Sequence, residues 1–288
     1  MSKPEDDSRT TPPTIGVFDS GFGGLTVLRA LVARLPHARF AFIGDTARLP
    51  YGSKSRRTIA RYAAQSAQFL VNQQGAEFLV IACNTASALA LDAIQEAVPV
   101  PVLGVIEPGA EAARQASRTG EVLVIATDAT VQSHAYAAAC RARGLRALEK
   151  ACPLLVPLVE EGWTDHPVTA EVIRIYLDEL NAEAAAQGMK PDTLVLGCTH
   201  YPLLRPLIEK IVPAGVRVID SAEAAAEAAA RLFNGRAAQL SGERELEETP
   251  PVTQLRCFAT DSVEKFERLG SRFLGRPTGE VELVDLGG

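Results

Sequence analysis

The stretch Leu79-Val-Ile-Ala-Cys83-Asn84-Thr85-Ala-Ser87 constrains this chain most, because it returns as Leu194-Val-Leu-Gly-Cys198-Thr199-His200-Tyr201. In each copy four small or apolar residues lead to a cysteine, polar residues follow, and an apolar-patterned run begins. That is the pattern of a buried parallel strand, a tight turn and a helix. Each cysteine then falls at the carboxyl end of a strand and near a helix amino terminus. Free backbone N–H groups and the helix dipole favour an anion there, and the expectation is a lowered thiol pKa. One such cysteine reads as an ordinary core residue. Two in matching contexts read as a pair of facing reactive groups.

At 288 residues the chain is long enough for one large or two medium domains. Its hydrophobic fraction of 47% and charged fraction of 22% are those of a soluble globular protein. A net charge of −6 argues against nucleic acid as a main partner, since a phosphate-binding surface is normally basic. No apolar run reaches the roughly 18 residues of a membrane span. The five cysteines, Cys83, Cys140, Cys152, Cys198 and Cys257, form no CxxC pair, and no HExxH helix or zinc-ligand spacing occurs. Neither a disulfide frame nor a metal site is expected. Residues 1–13 are polar and proline-rich with no apolar signal core, so a disordered tail and a cytoplasmic protein are expected.

Along the chain, Ile15–Phe18 reads as a strand ending at Asp19-Ser20-Gly21-Phe22-Gly23-Gly24, before a helix that Pro36 closes. The glycine-rich turn lacks the third glycine of GxGxxG, and no GxxxxGK[ST] occurs, so nucleotide binding is not favoured. Asp19 and Ser20 remain, at a strand's carboxyl end, where open α/β sheets place their ligand crevice. Phe40–Ile43 is the next strand. The loop after it, Gly44 to Lys54, carries Pro50-Tyr51-Gly52. A helix follows with Ile59, Tyr62, Ala63, Ser66, Phe69 and Leu70 as its core stripe. The first cysteine unit continues as a helix through Ile94, and Val100–Ile106 is a strand leading to Glu107-Pro108-Gly109.

The pattern then restarts. Glu121–Ala126 is a strand, and Thr127-Asp128-Ala129-Thr130 is a hydroxyl-rich turn into a helix ending near Gly144. This unit parallels the Asp19-Ser20 unit, and two diverged α/β halves explain the repetition. Cys152–Trp163 reads as a loop and short helix, and residues 169–187 as an amphipathic helix. Val216–Ile219 is a strand, and Asp220-Ser221 caps an alanine-rich helix closed by Asn234-Gly235. Residues 241–251 read as a surface loop, Leu255–Phe258 as a strand and Val263–Leu274 as a helix. Cys140 and Cys257, outside the strand–turn–helix context, are expected to be structural.

Five segments occur in order: Asp19-Ser20-Gly21-x-Gly23-Gly24, Gly44-Asp45-x-x-x-x-Pro50-Tyr51-Gly52, Cys83-Asn84-Thr85, Gly104-Val-x-Glu107-Pro108 and Gly197-Cys198-Thr199-His200-Tyr201. Together they resemble the glutamate racemases, within the cofactor-independent aspartate/glutamate racemase superfamily, from about Ile15 to the end. The resemblance implies two pseudo-symmetric α/β domains, each a mostly parallel sheet flanked by helices, with the active site at their interface. The expected division is 14–107 with 221–288 as one domain and 108–220 as the other. It further implies interconversion of L- and D-glutamate, supply of D-glutamate for peptidoglycan, no cofactor, and a homodimer.

The chemistry suits the residues independently. Inverting an α-carbon requires taking its proton from one face and delivering another to the opposite face. Two groups facing each other solve that geometry, one entering as thiolate and one as thiol. By family pattern Cys83 and Cys198 are the acid/base thiols, with Asp19 near Cys83 and His200, with Glu160, near Cys198. Ser20, Pro50, Tyr51, Gly52, Asn84, Thr85, Thr199 and His200 would bind substrate, as would Asp19. Thr127 and Thr130 are weaker additions, because family members commonly have glycine where this chain has Ala129; a positive φ there would strain alanine by roughly 1 kcal/mol. Lys54 is the one lysine in a suggestive loop, and no phosphate cradle for pyridoxal phosphate stands beside it. The alternatives are an aspartate racemase, which the histidine after Cys198 disfavours, and a binding or regulatory protein of the same fold that has lost turnover.

Overall fold

Thr14-Ile15-Gly16-Val17-Phe18-Asp19 is buried at every position, so this strand has to be covered on both faces. Ile15 and Val17 pack into one apolar cluster and Phe18 into another. The computed structural model describes residues 12–241 and 254–287, with 234–241 as backbone only. Most of the expected tail and the expected loop beyond Ser241 lie outside the described residues.

The chain runs β1 (Thr14–Asp19), α1 (Leu25–Arg34), β2 (Arg39–Gly44), α2 (Arg56–Asn72), β3 (Ala76–Ile81), α3 (Asn84–Leu89), α4 (Leu91–Ala97), β4 (Val102–Gly104) and α5 (Ile106–Ala116). It continues as β5 (Glu121–Ala126), α6 (Asp128–Ser133), α7 (Ala135–Ala142), β6 (Arg146–Ala151), α8 (Leu155–Glu160) and α9 (Pro167–Ala186). Then come β7 (Thr193–Gly197), α10 (Arg205–Ile211), β8 (Arg217–Asp220), α11 (Ser221–Ser241), β9 (Gln254–Ala259), α12 (Val263–Leu274) and β10 (Val281–Leu283).

Among the described residues the strands form two parallel sheets, ordered β10-β9-β2-β1-β3-β4 and β6-β5-β7-β8. Strip the first of β9 and β10 and the two orders match strand for strand. β1 corresponds to β5, β2 to β6, β3 to β7 and β4 to β8. Cys83 follows β3 and Cys198 follows β7, so the duplication read in the sequence is a duplication of position. One apolar cluster runs from Val17 and Phe42 of the first sheet to Leu123 and Leu196 of the second, and α11 contributes Ala222, Ala225, Ala226 and Ala229 to it.

Several expectations need correction. α11 runs through Asn234-Gly235 to Ser241 instead of closing there; its buried alanine face commits the helix before the glycine's cost of about 1 kcal/mol is met. The second cysteine turn leads into a 3₁₀ turn, Tyr201–Leu204, and α10 begins only at Arg205. Pro202 and Pro206 lack the N–H groups a continuous helix would use. The helix after Cys83 is broken at Ala90, and the one after Thr127 at His134, whose φ is 54°. The helix α5 and the strands β6 and β10 were not signalled. β6, Arg146-Ala-Leu-Glu-Lys-Ala151, is an edge strand with no fully buried residue and so has no clear alternation.

Gly44, at the end of β2, fixes the turn after β1. A Cβ built there would lie 2.1 Å from the Gly21 carbonyl oxygen, a backbone atom that cannot rotate away. Gly44→Ala should therefore cost about 1–3 kcal/mol, read as a lower urea midpoint with an unchanged slope. A wild-type midpoint would show that the turn does not depend on this close approach.

Candidate active site

The turn after β1 is built around Asp19, which is 2% exposed. Gly21 N–H donates to its Oδ2 at 2.9 Å, while the buried Oδ1 has no protein partner. Burial pushes this carboxyl up, against the pull of hydrogen bonds from Gly21, Gly24 and Ser20 and of the nearby His200. Two glycines let this turn lie flat between its neighbours. A Cβ on Gly24 would fall 2.5 Å from the Asp19 Cβ, and one on Gly23 would fall 2.4 Å from Thr199 Oγ1 and 2.6 Å from His200 Nδ1. The turn from the first sheet thus packs bare backbone against the second cysteine turn.

Cys83 is the N-cap of α3. Its sulfur accepts from Ala86 N–H at 3.4 Å, and its S–H donates to Ser20 Oγ at 3.4 Å. The expected lowered pKa is not found. Burial, then the Asp19 carboxyl, push the thiol up to about 12, overriding the Ser20 and Ala86 contacts that pull it down. The desolvation of a cysteine only 5% exposed outweighs the dipole of a helix only six residues long. At neutral pH this group is a thiol.

Cys198 meets a different field. His200 Nδ1 lies 3.9 Å from its sulfur and 3.4 Å from Thr199 Oγ1. His200 Nε2 lies 3.4 Å from Glu160 Oε1, and Lys265 Nζ lies 3.7 Å from Glu160 Oε2. Burial works against a charge on His200, but its contacts with Cys198 and Glu160 prevail and push it up to about 10. It is an imidazolium at neutral pH. Glu160, although burial opposes its charge, is held below the usual carboxylate range by His200 and Lys265. Glu160 therefore reaches Cys198 only through His200. The Phe273 and His200 rings meet in a T-shaped arrangement with centroids 5.0 Å apart.

The other expected residues gather around these turns. Thr85 Oγ1 lies 3.1 Å from Thr127 Oγ1 and 3.2 Å from Thr130 Oγ1, and the last two are 3.0 Å apart, so a triangle of hydroxyls joins α3 to α6. Ala129 lies in α6 with helical backbone, and the anticipated strain is absent: among the described residues the non-glycine positive φ values are at His134 and Ser262. Tyr51 is buried and donates to Asp45 Oδ2 at 2.6 Å, and Asp45 Oδ1 also accepts from Arg48 and Thr260. Gly52 lies against Thr127, with 3.9 Å between its built Cβ and that of the threonine. Pro50 is exposed, and its carbonyl accepts from Ser53 and Lys54. Cys140 and Cys257 are buried on α7 and β9.

Sequence reasoning missed three contacts. Thr26 Oγ1 donates to the Thr199 carbonyl at 3.0 Å, tying α1 to the second cysteine turn. Lys265 backs Glu160 from α12. Tyr136 donates to Asn84 Oδ1 at 2.7 Å. Each joins segments far apart in the chain, and no local pattern signals such a contact. Among the described residues no group of three or more His, Cys, Asp or Glu side chains is arranged to hold a metal, and no helix is long and apolar enough to cross a membrane.

Comparison with known proteins agrees with this layout. Residues 15–229 match the Asp/Glu/Hydantoin racemase family model. The chain is 54% identical to the glutamate racemase of Koribacter versatilis (strain Ellin345), over 96% of its own length and 98% of that protein. It is 48% identical to the glutamate racemase of Syntrophus aciditrophicus (strain SB), over 94% and 96% of the two chains. The crystal structure of glutamate racemase from Francisella tularensis subsp. tularensis SCHU S4 in complex with D-glutamate matches with a TM-score of 0.82 at 36% identity, covering 96% of this chain and 98% of that one. A repeated four-strand unit with a cysteine after its third strand, and likeness along nearly the whole length, make this chain a member of the Asp/Glu/Hydantoin racemase family, alongside the glutamate racemases.

Proposed function

We propose that this chain interconverts L- and D-glutamate by passing protons between two cysteine sulfurs and the two faces of the α-carbon, at the interface of two domains. The observation that carries the reading is that one turn, Asp19–Gly24, touches both cysteine units: Ser20 accepts from the Cys83 thiol, and Gly23 lies against Thr199 and His200. The domains are residues 14–107 with 221–288 and residues 108–220, each built on one of the two sheets. D-Glutamate made in the cytoplasm would serve peptidoglycan, and a homodimer is the proposed assembly.

The two sulfurs sit in different fields. The His200 imidazolium stabilises negative charge on Cys198, an attraction of a few kcal/mol at this distance in a partly screened site. Cys83 waits as a thiol. With one enantiomer bound, the Cys198 thiolate takes the α-proton and the Cys83 thiol delivers its own to the opposite face. The product leaves Cys198 as thiol and Cys83 as thiolate, and proton exchange with solvent restores the starting state. The other enantiomer is taken by the reverse route, from the form with Cys83 as thiolate and Cys198 as thiol, which the same proton exchange supplies. No step calls on a cofactor. Ser20, Asn84, Thr85 and Thr199 offer donors for the substrate carboxylates, and the unpartnered Oδ1 of Asp19 offers an acceptor for its ammonium. Positioning between these groups supplies much of the barrier reduction.

The substrate assignment is read by circular dichroism. L-Glutamate should lose its signal in the presence of the purified protein while L-aspartate keeps it; the opposite result would make the protein an aspartate racemase. Cys83→Ala and Cys198→Ala should each lower turnover by at least about a thousandfold, the range of a lost positioned acid or base. Cys140→Ala and Cys257→Ala should stay within about threefold of wild type. Near-normal turnover in either of the first two would refute the assignment of the thiols.

His200 gives a pH test of the charge beside Cys198. Its folded pKa of about 10 is above the ordinary value of 6.5, so the proton it gains favours the folded state. That contribution is complete below about pH 6.5 and is lost as pH rises toward 10. The melting temperature of wild type relative to His200→Asn should therefore fall steadily across that interval. A difference independent of pH would mean the imidazole is neutral.

A further inference from the structure

Tyr136 belongs to none of the sequence motifs, yet it touches both cysteine turns. α6 stops at Ser133, and His134 takes left-handed backbone before α7 starts at Ala135. The break turns Tyr136, in the first turn of α7, inward, where it is fully buried. Its phenol donates to Asn84 Oδ1 at 2.7 Å, beside Cys83. Its ring lies so close to the residue before Cys198 that a Cβ on Gly197 would fall 2.9 Å from ring atom Cε2. Gly109 of α5 flanks the other edge, where a Cβ would sit 3.2 Å from Cε1, and Ser221 at the head of α11 lies against the phenol oxygen.

The consequence falls on Asn84. An asparagine amide has one acceptor end and one donor end, and a half-turn about its last bond exchanges them. Burial pushes the Tyr136 phenol well above its ordinary range, so it stays protonated and acts as a donor at every working pH. A constant donor selects the orientation that offers Oδ1. The Asn84 Nδ2 is left buried with no protein partner, on a residue 3% exposed next to Cys83. A buried donor that the protein itself leaves unanswered is free to meet a bound ligand.

We propose that Tyr136 is a positioning residue. By holding Oδ1 it fixes the Asn84 amide so that Nδ2 donates to a carboxylate oxygen of the bound amino acid beside the Cys83 thiol. The same ring, wedged against Gly197, registers that amide to the turn of Cys198. The proposal rests on the racemase reading above, because it names what Asn84 would bind.

The test is a double-mutant cycle, with steady-state kinetics for both enantiomers in wild type, Tyr136→Phe, Asn84→Ala and the double variant. Phenylalanine keeps the ring that packs on Gly197 and removes only the donor. Tyr136→Phe should raise KM about five- to tenfold, the loss of roughly one hydrogen bond, with kcat within about twofold. In the Asn84→Ala background the same change should have no further effect, since the group it orients is gone. An equal factor in both backgrounds, or an unchanged KM in Tyr136→Phe, would overturn the proposal and leave Tyr136 a packing residue. Asn84→Asp is a second check that leaves Tyr136 intact. With the phenol holding one oxygen, the other faces the substrate as an acceptor, and KM should exceed that of Asn84→Ala; a lower KM would overturn the proposal. Absence of turnover in wild type would instead defeat the racemase reading itself.

Discussion

Two backbones meet where no side chain fits. At Gly23 any Cβ would occupy the space of Thr199 Oγ1 and His200 Nδ1, and at Gly44 it would occupy that of the Gly21 carbonyl. The first contact brings the turn after β1, which belongs to one sheet, against the cysteine turn after β7, which belongs to the other, and the second seats that same turn on the end of β2. The hydroxyl of Thr26 then fastens the Thr199 carbonyl to α1. Everything the site offers depends on that approach. Asp19 reaches the field of His200, and Ser20 reaches the Cys83 sulfur, because the turn they share is thin.

The symmetry of the fold is not carried into its electrostatics. The two sheets have the same strand order, and the two cysteines the same place in it, but their surroundings differ in sign. Cys83 has a buried carboxyl and the bare amides of a short helix, and burial decides for the neutral thiol. Cys198 has an imidazolium held in place by Glu160 and, behind it, Lys265. The duplicated backbone thus sets a buried carboxyl beside one sulfur and an imidazolium beside the other.

How much of this is legible in the sequence depends on distance along the chain. The turns at Asp19, Cys83, Thr127 and Cys198 are local patterns, and reading them as strand ends is correct because apolar runs and polar turns need no partner to be recognised. Their expected neighbours Ser20, Asn84, Thr85, Thr199 and His200 come with them. What fails is whatever a distant segment decides. The lowered pKa expected for Cys83 follows from its helix terminus alone, and it is reversed by burial and by Asp19, which arrives from another strand. Tyr136 reaches Asn84 only because His134, a residue with no obligation to do so, takes a positive φ. Asn234-Gly235 reads as a helix end, and the alanine face packed on the core carries α11 past it.

The central claim is that each sulfur serves one face of the α-carbon, and isotope transfer tests it most directly. In heavy water, proton magnetic resonance of early time points distinguishes label in product from label in recovered substrate. If Cys83 and Cys198 act on opposite faces, the donating thiol carries solvent deuterium while the accepting thiolate holds the substrate's protium and returns it on reversal. Product should then be deuterated at the α-carbon from the first turnovers, with recovered substrate still unlabelled, starting from either enantiomer. Deuterium entering recovered substrate as fast as product forms, in both directions, would contradict two separate thiols and point to one shared base.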